Sequence, residues 1–493
     1  MKKNLILFLL ILITVTLKSG IRMEGFYEAE FGTAYESDQF KWNNWDPRLY
    51  LETKFMANPV PNSNLYFKFY SDKDNDNYKN QSGNMEAIFS EAHMEFYQEK
   101  KGYGFKSNLF FRENGQYWTD SSLLGIINTG SVNNDGNGQG VRFDLWHPHN
   151  GSMTYVFSDF SQGSGDDIHL MRLRQEFFQS KFKTGLFLQQ KNYATGLEED
   201  YNRVIAQDFK LNIDKYYLNA EYAFSFVPSE DETSDLTEEY QKKAEDFYKS
   251  NIATKIELHG LKIGKSNLGH WFFKPGFYTY GNTYRNYMGD NKSNEIGYWI
   301  NSYYLIPGRA ITLTLNYSKS NKIVPDTIFV DGNDKEIYNP TTNIYSEIYV
   351  EFVKGFKGKL YFNKRDEKWQ GNKYRHYDFF SELSVENRLA KLLTQFKIKD
   401  INEDNEKQIA GIELGVNLSD KWRVFTRGMI ANDKVSARHS FFGEVQYRIS
   451  GNTELFLQYG PSWYGAYGLV NDDGFVASGE MSKEFRLMLK GWF

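Results

Sequence analysis

The sequence has no cysteine, only ten prolines, and no apolar run long enough to cross a membrane as a helix. Without cysteine there is no disulfide framework, thiolate metal site, cysteine nucleophile or lipidated N-terminal cysteine. No proline-rich stretch resembles a linker, so the chain past its first residues reads as one domain, 23–493. Net charge is only -5 over 493 residues, and no basic stripe or domain stands out. That excludes the usual electrostatic footprint of a nucleic-acid binder. The longest apolar run, Leu5 to Leu17, is too short for a span and follows Lys2 and Lys3. This is the layout of a cleavable signal peptide, taken as residues 1–20 with the mature start near 19–23; an uncleaved signal anchor is the alternative. No fixed repeat is present, which excludes a solenoid or propeller.

What the chain does have is aromatic residues (17%, with 35 Tyr and 40 Phe) and alternation. At the end of the chain, Phe485, Leu487, Leu489, Gly491 and Phe493 fall on one side, and Glu484, Arg486, Lys490 and Trp492 on the other. This is a β-strand with one apolar and one charged face. The same pattern recurs at roughly 20-residue spacing. Leu49, Leu51 and Phe55 oppose Arg48, Glu52 and Lys54; Met171, Leu173 and Phe177 oppose Arg172, Arg174 and Glu176; Ile412, Leu414 and Val416 oppose Glu413 and Asn417. Short turns (Pro59 to Asn62, Lys100 to Gly104, Asp214 to Lys215, Ser450 to Asn452) alternate with long polar loops (Asp72 to Asn84, Asn114 to Gly140, Pro228 to Ser250, Asn321 to Thr342, Pro461 to Glu480). The stretch Leu268 to Tyr280, interrupted by Pro275, is a weak strand.

An alternating last strand that stops on an aromatic resembles the outer-membrane β-barrel proteins of double-membraned bacteria, and the whole mature chain resembles their porin class. The fold expected is all-β: a transmembrane up-and-down antiparallel barrel of about 24 strands, range 18–24, with short periplasmic turns and long extracellular loops. In such a barrel lipid covers the apolar faces, and the first strand pairs the last, leaving no open edge. The resemblance implies an outer-membrane location and a terminal strand, Phe485, Leu487, Leu489, Gly491 and Phe493, read by the barrel assembly machinery. It also implies a porin-like channel for passive diffusion of small hydrophilic solutes, anions or sugars among them, with no cofactor. The rival is a non-transporting surface barrel, an adhesin or scaffold whose long acidic loops bind partners. A homo-oligomer is compatible with either.

Function is then sought on the charged faces, which line the lumen. Arg112, Arg142, Arg172 and Arg174 form a basic sector with Asp144 and Glu176 inside it; Arg423, Arg427, Arg448 and Arg486 approach it across the closing seam. These are the selectivity candidates, set against the plainer reading of salt-bridge ladders that keep the wall rigid. The loop Glu113 to Gly140 carries an apolar middle (Leu123, Leu124, Ile126, Ile127), which either folds inward as a constriction or caps the mouth or a neighbouring protomer. Inward Tyr66, Tyr70, Phe110, Tyr278 and Tyr349 either form a stacking path for sugar rings or fill the wall. Pro228 to Lys249 has helical spacing and many acidic residues. Asp72, Asp74 and Asp76 lack the rest of a calcium loop, the eight His show no metal-ligand spacing, and Gly-x-Ser-x-Gly is absent, so neither metal nor enzyme is expected.

Overall fold

The structure is a computed structural model. It describes residues 21–36, 39–42, 48–73, 87–111, 123–126, 139–159, 167–195, 198–226, 251–264, 269–286, 292–306, 310–330, 333–369, 372–404, 406–432, 437–460 and 485–493. The expected signal peptide 1–20, the helical candidate 228–249, Arg112, Asp74 and Asp76 lie outside these residues.

Twenty-four antiparallel strands, each bonded to its neighbours in sequence, close into a transmembrane barrel. Closure joins Ile21–Glu36 to Phe485–Trp492, with Phe26 opposite Trp492 and Thr33 opposite Phe485. No helix among the described residues is long and apolar enough to cross a membrane; the strands do the crossing. The weak stretch is a strand, His270–Tyr280. Its proline is accommodated at an irregularity. Glu257 pairs with Gly276 and Leu261 with Phe273, so the partner strand carries one extra residue beside Pro275. A residue without an N–H fits a bulge better than a regular ladder. One long loop proves to be structured: within 321–342 the strands Asp326–Val330 and Asn333–Ile337 form a separate hairpin. The Asp331-Gly332 pair between them is a short-hairpin signal that a reading based on loop polarity passes over.

Alternation in the sequence becomes two surfaces. Along the last strand Phe485 and Leu487 are 36% and 38% exposed, while Arg486 and Met488 are 7% and 5% exposed. Leu51, Leu109, Leu145, Leu186, Ile300, Leu315, Ile412 and Leu457 share the exposed outer face, which in a bilayer meets lipid. At the short-turn end, outer aromatics gather as an interface girdle does: Trp422 against Tyr447 (4.5 Å between centroids), Phe352 against Phe356 (4.9 Å), and Phe177 against Phe182 (6.0 Å).

The seam is held on both faces. The Gly25 and Phe493 backbones exchange two hydrogen bonds, 2.8 Å (Gly25 N–H donating) and 3.0 Å (Phe493 N–H donating). On the lumen side Lys490 Nζ lies 2.7 Å from Glu28 Oε2. On the other side the Phe493 ring covers Gly25 and the Tyr27 ring covers Gly491. A Cβ at Gly25 would stand 2.1 Å from Phe493 Cζ, and one at Gly491 2.3 Å from Tyr27 Cε1. Gly25→Val and Gly491→Val are therefore expected to destabilise closure by about 1–3 kcal/mol each. Heat-modifiable gel migration should show less folded barrel, whereas Gly451→Ala, where a Cβ meets nothing within 4 Å, should refold like the parent. Equal folded fractions in all three would show that the covered glycines do not matter to closure.

Candidate functional site

Register places the charged side chains on the inner wall, mostly in pairs. Arg142 holds Asp144 with two contacts, Nε–Oδ2 2.8 Å and Nη2–Oδ1 3.0 Å, and Thr154 donates to the same carboxylate at 2.6 Å. Arg172 pairs with Asp208, and Glu176 receives Lys183 and Ser180. Arg174 stands exposed to the bore on the same strand as Arg172. Across the seam, Arg427 Nη2 is 2.6 Å from Glu413, which also takes Lys391 at 3.1 Å; Arg448 meets Glu454 at 3.1 Å. Arg486 is 3.9 Å from Glu30, and Arg423 lies over the Phe425 ring at 6.0 Å.

Charges two residues apart on one strand, or opposite one another on neighbouring strands, share a face and are within reach; hence the pairing. The potential selectivity groups thus form a mixed-sign ladder around the bore. The inward aromatics divide among different partners: Tyr66 stacks on His93 (4.8 Å), Tyr70 on Tyr50 (6.2 Å), and Tyr278 meets Trp299 (5.8 Å), while Tyr349 sits opposite Thr312 and Lys359.

At the loop end of one sector the lumen is filled. Residues 123–126, the described part of the Glu113 to Gly140 loop, lie against the inner wall, with Leu124 and Ile126 wholly buried among Phe110, Val156, Leu170, Phe187, Val204 and Tyr284. Polar contacts fix them. The Leu124 N–H donates to Glu221 Oε2 at 2.9 Å, and Asn286 Nδ2 donates to the carbonyls of Gly125 (3.2 Å) and Ile126 (3.1 Å). A second segment, 281–286, packs beside the first: Gln189 donates to Asn286 Oδ1 (3.1 Å) and the Arg285 N–H to Ser225 Oγ (3.0 Å). Glu221 is mid-strand in Tyr216–Phe226, so the inserted loop reaches well below the rim.

Reading the sequence singled out the apolar loop middle but not Glu221, Tyr284 or Asn286. Glu221 and Asn286 meet their loop partners 97 and 160 residues away, which alternation cannot show. Glu221→Ala would leave a buried N–H without its acceptor, a cost of about 1–3 kcal/mol. That should release the loop roughly tenfold or more often. Chymotrypsin cleavage near Tyr117 and Trp118 should accelerate accordingly, with Glu221→Gln intermediate. An unchanged cleavage rate would mean that Glu221 does not anchor the loop.

A chain of the E. coli P pilus tip assembly intermediate PapC-PapD-PapK-PapG superposes with a TM-score of 0.56 at 9% identity, over 96% of this chain and 61% of its own. The siderophore receptor PirA from Pseudomonas aeruginosa gives 0.47 at 9% identity, over 96% of this chain and 80% of its own. The copper transporter OprC gives 0.46 at 9% identity, with the same two coverages. No family model matches the sequence, and no curated protein does. At such identities the likeness is one of fold: this chain is a large antiparallel barrel of the outer-membrane type.

Proposed function

We propose that the chain is an integral outer-membrane barrel through which small hydrophilic solutes diffuse passively, sorted by the paired lumen charges and the inward loop. Its partners on this reading are outer-membrane lipid, the assembly machinery and the solutes themselves; it carries out no catalysis and needs no cofactor. The observation that supports it most is the inserted segment 123–126 in a bore that also carries many ion pairs. Twenty-four strands about 4.8 Å apart and tilted by about 40° make a ring about 48 Å across the backbone. A bare ring of that size would pass far more than small solutes, so a selective passage needs material inside it. A wet, charged wall beside a folded-in loop meets that need, and mixed-sign pairs predict modest ion preference.

The test is single-channel conductance of refolded protein in a planar bilayer, with reversal potential under a salt gradient. Stable open steps are expected. Glu413→Gln, which removes the carboxylate shared by Arg427 and Lys391, should shift the reversal potential toward anions, and Arg427→Gln should shift it toward cations. A barrel that folds and inserts but never conducts would overturn the passage and leave the surface-binding barrel in its place.

A further inference from the structure

Most of the lumen wall is ionic, but one sector is not. Asn301, Asn316, Tyr345, Asn363 and Asp378 are successive cross-strand partners, forming one unbroken row over five strands. Asp378 is the only formal charge in it. The row borders a cavity of about 480 Å³, to which Ser318, Asn343 and Tyr361 also contribute. Asn301 is exposed to the bore, and Asn363 Nδ2 reaches Asp378 Oδ2 only at 3.5 Å. The side-chain oxygens of Asn343 and Asn363 are buried and accept no hydrogen bond within the protein. An amide can turn its donor or its acceptor toward a ligand, so this sector has hydrogen-bonding capacity to spare.

Beside the row lies a small aromatic plateau whose two rings are tilted 36° to one another. Gly276 faces Trp299 and Tyr278 faces Gly297, so each ring lies across the glycine opposite it. A Cβ at Gly276 would be 2.1 Å from Trp299 Cζ2, and one at Gly297 2.6 Å from Tyr278 Cζ. The two centroids are 5.8 Å apart. With one face on the wall, each ring is half-buried; Tyr278 also packs against the buried cluster around Leu124 and donates its hydroxyl to Glu295. Lysine ammoniums reach these rings, Lys255 at 5.3 Å from the Trp299 centroid and Lys292 at 5.7 Å from that of Tyr278. Trp299 precedes Asn301 by two residues on the same face of its strand, so plateau and amide row are continuous.

We infer that this sector is a binding subsite for neutral oligosaccharides. Sugar rings would lie on Trp299 and Tyr278, and their hydroxyls would bond to the amides and to Asp378. Aromatic faces suit the C–H faces of sugars, and amides with one carboxylate suit hydroxyls, which both donate and accept. An anion would meet Asp378 in the row, and the nearby lysines Lys255 and Lys292 are placed over the aromatic rings. At a strand spacing of about 4.8 Å the row spans roughly 19 Å, the reach of a short chain rather than a single sugar. The inference deepens the proposed passage and rests on it only for the ligand's access to the bore.

Two readouts separate the two ideas. Maltohexaose, cellohexaose and xylohexaose are titrated by calorimetry into the refolded barrel in detergent micelles, and then added to single channels to look for transient current blocks. At least one should bind saturably. Asn363→Ala with Asp378→Ala, and separately Trp299→Leu, should each weaken that binding about tenfold or more. Because Trp299→Leu uncovers Gly276, the bore-exposed Asn301→Ala serves as a variant whose fold is not at stake, and it too should weaken binding. Binding without conductance would keep the subsite and discard the passage. Conductance with none of the three sugars binding, or binding unaltered in every variant, would overturn the subsite and leave the passage standing.

Discussion

Everything in this molecule depends on satisfying backbone hydrogen bonds where no water can do it. In hydrocarbon an unpaired N–H or C=O costs several kcal/mol, so a sheet can cross only if it has no edge. Here the last edge is removed by the pairing of Ile21–Glu36 with Phe485–Trp492. The charges at that seam, Lys490 with Glu28 and Arg486 with Glu30, face the lumen, while two rings cover two glycines on the opposite side. Backbone, ionic and aromatic contacts all act at the one barrel joint whose two strands are not consecutive in sequence.

Closure then imposes a division of labour. Each strand gives every second residue to lipid and every other one to the bore. Outside, the requirement is only apolarity, and leucine, isoleucine and phenylalanine serve almost interchangeably. Inside, the requirement is compatibility with neighbours about 5 Å away on either side. Arg142 with Asp144, and Glu413 between Arg427 and Lys391, meet it with opposite charges. The sector from Asn301 to Asp378 meets it with amides, and the sector under the inserted loop with buried aliphatic and aromatic side chains. The bore thus has ionic, amide and apolar sectors, built by the same alternation from different side chains.

The barrel was legible because its information is local. Period-two alternation and the contrast between short turns and long loops reveal strands, faces and even the approximate strand count without any knowledge of partners. The site was legible only as a list of inward residues. Glu221 reads like any other lumen carboxylate until Leu124 is found against it, and Asn286 sits in a loop whose composition gives no hint that it grips another loop. The glycines at 25, 276, 297 and 491 likewise acquire meaning from rings on neighbouring strands. Polarity in the sequence also hid the hairpin at Asp326–Val330 and Asn333–Ile337.

By itself, then, the sequence determined an all-β chain whose strands alternate and span a membrane, because a strand's two faces are set by residue parity alone. Tertiary structure decided which charges neutralise each other, which loop occupies the lumen and where an amide-rich patch opens onto the bore. Those outcomes depend on register between strands and on contacts spanning 97 to 160 residues, and neither is encoded in the periodicity of any single segment.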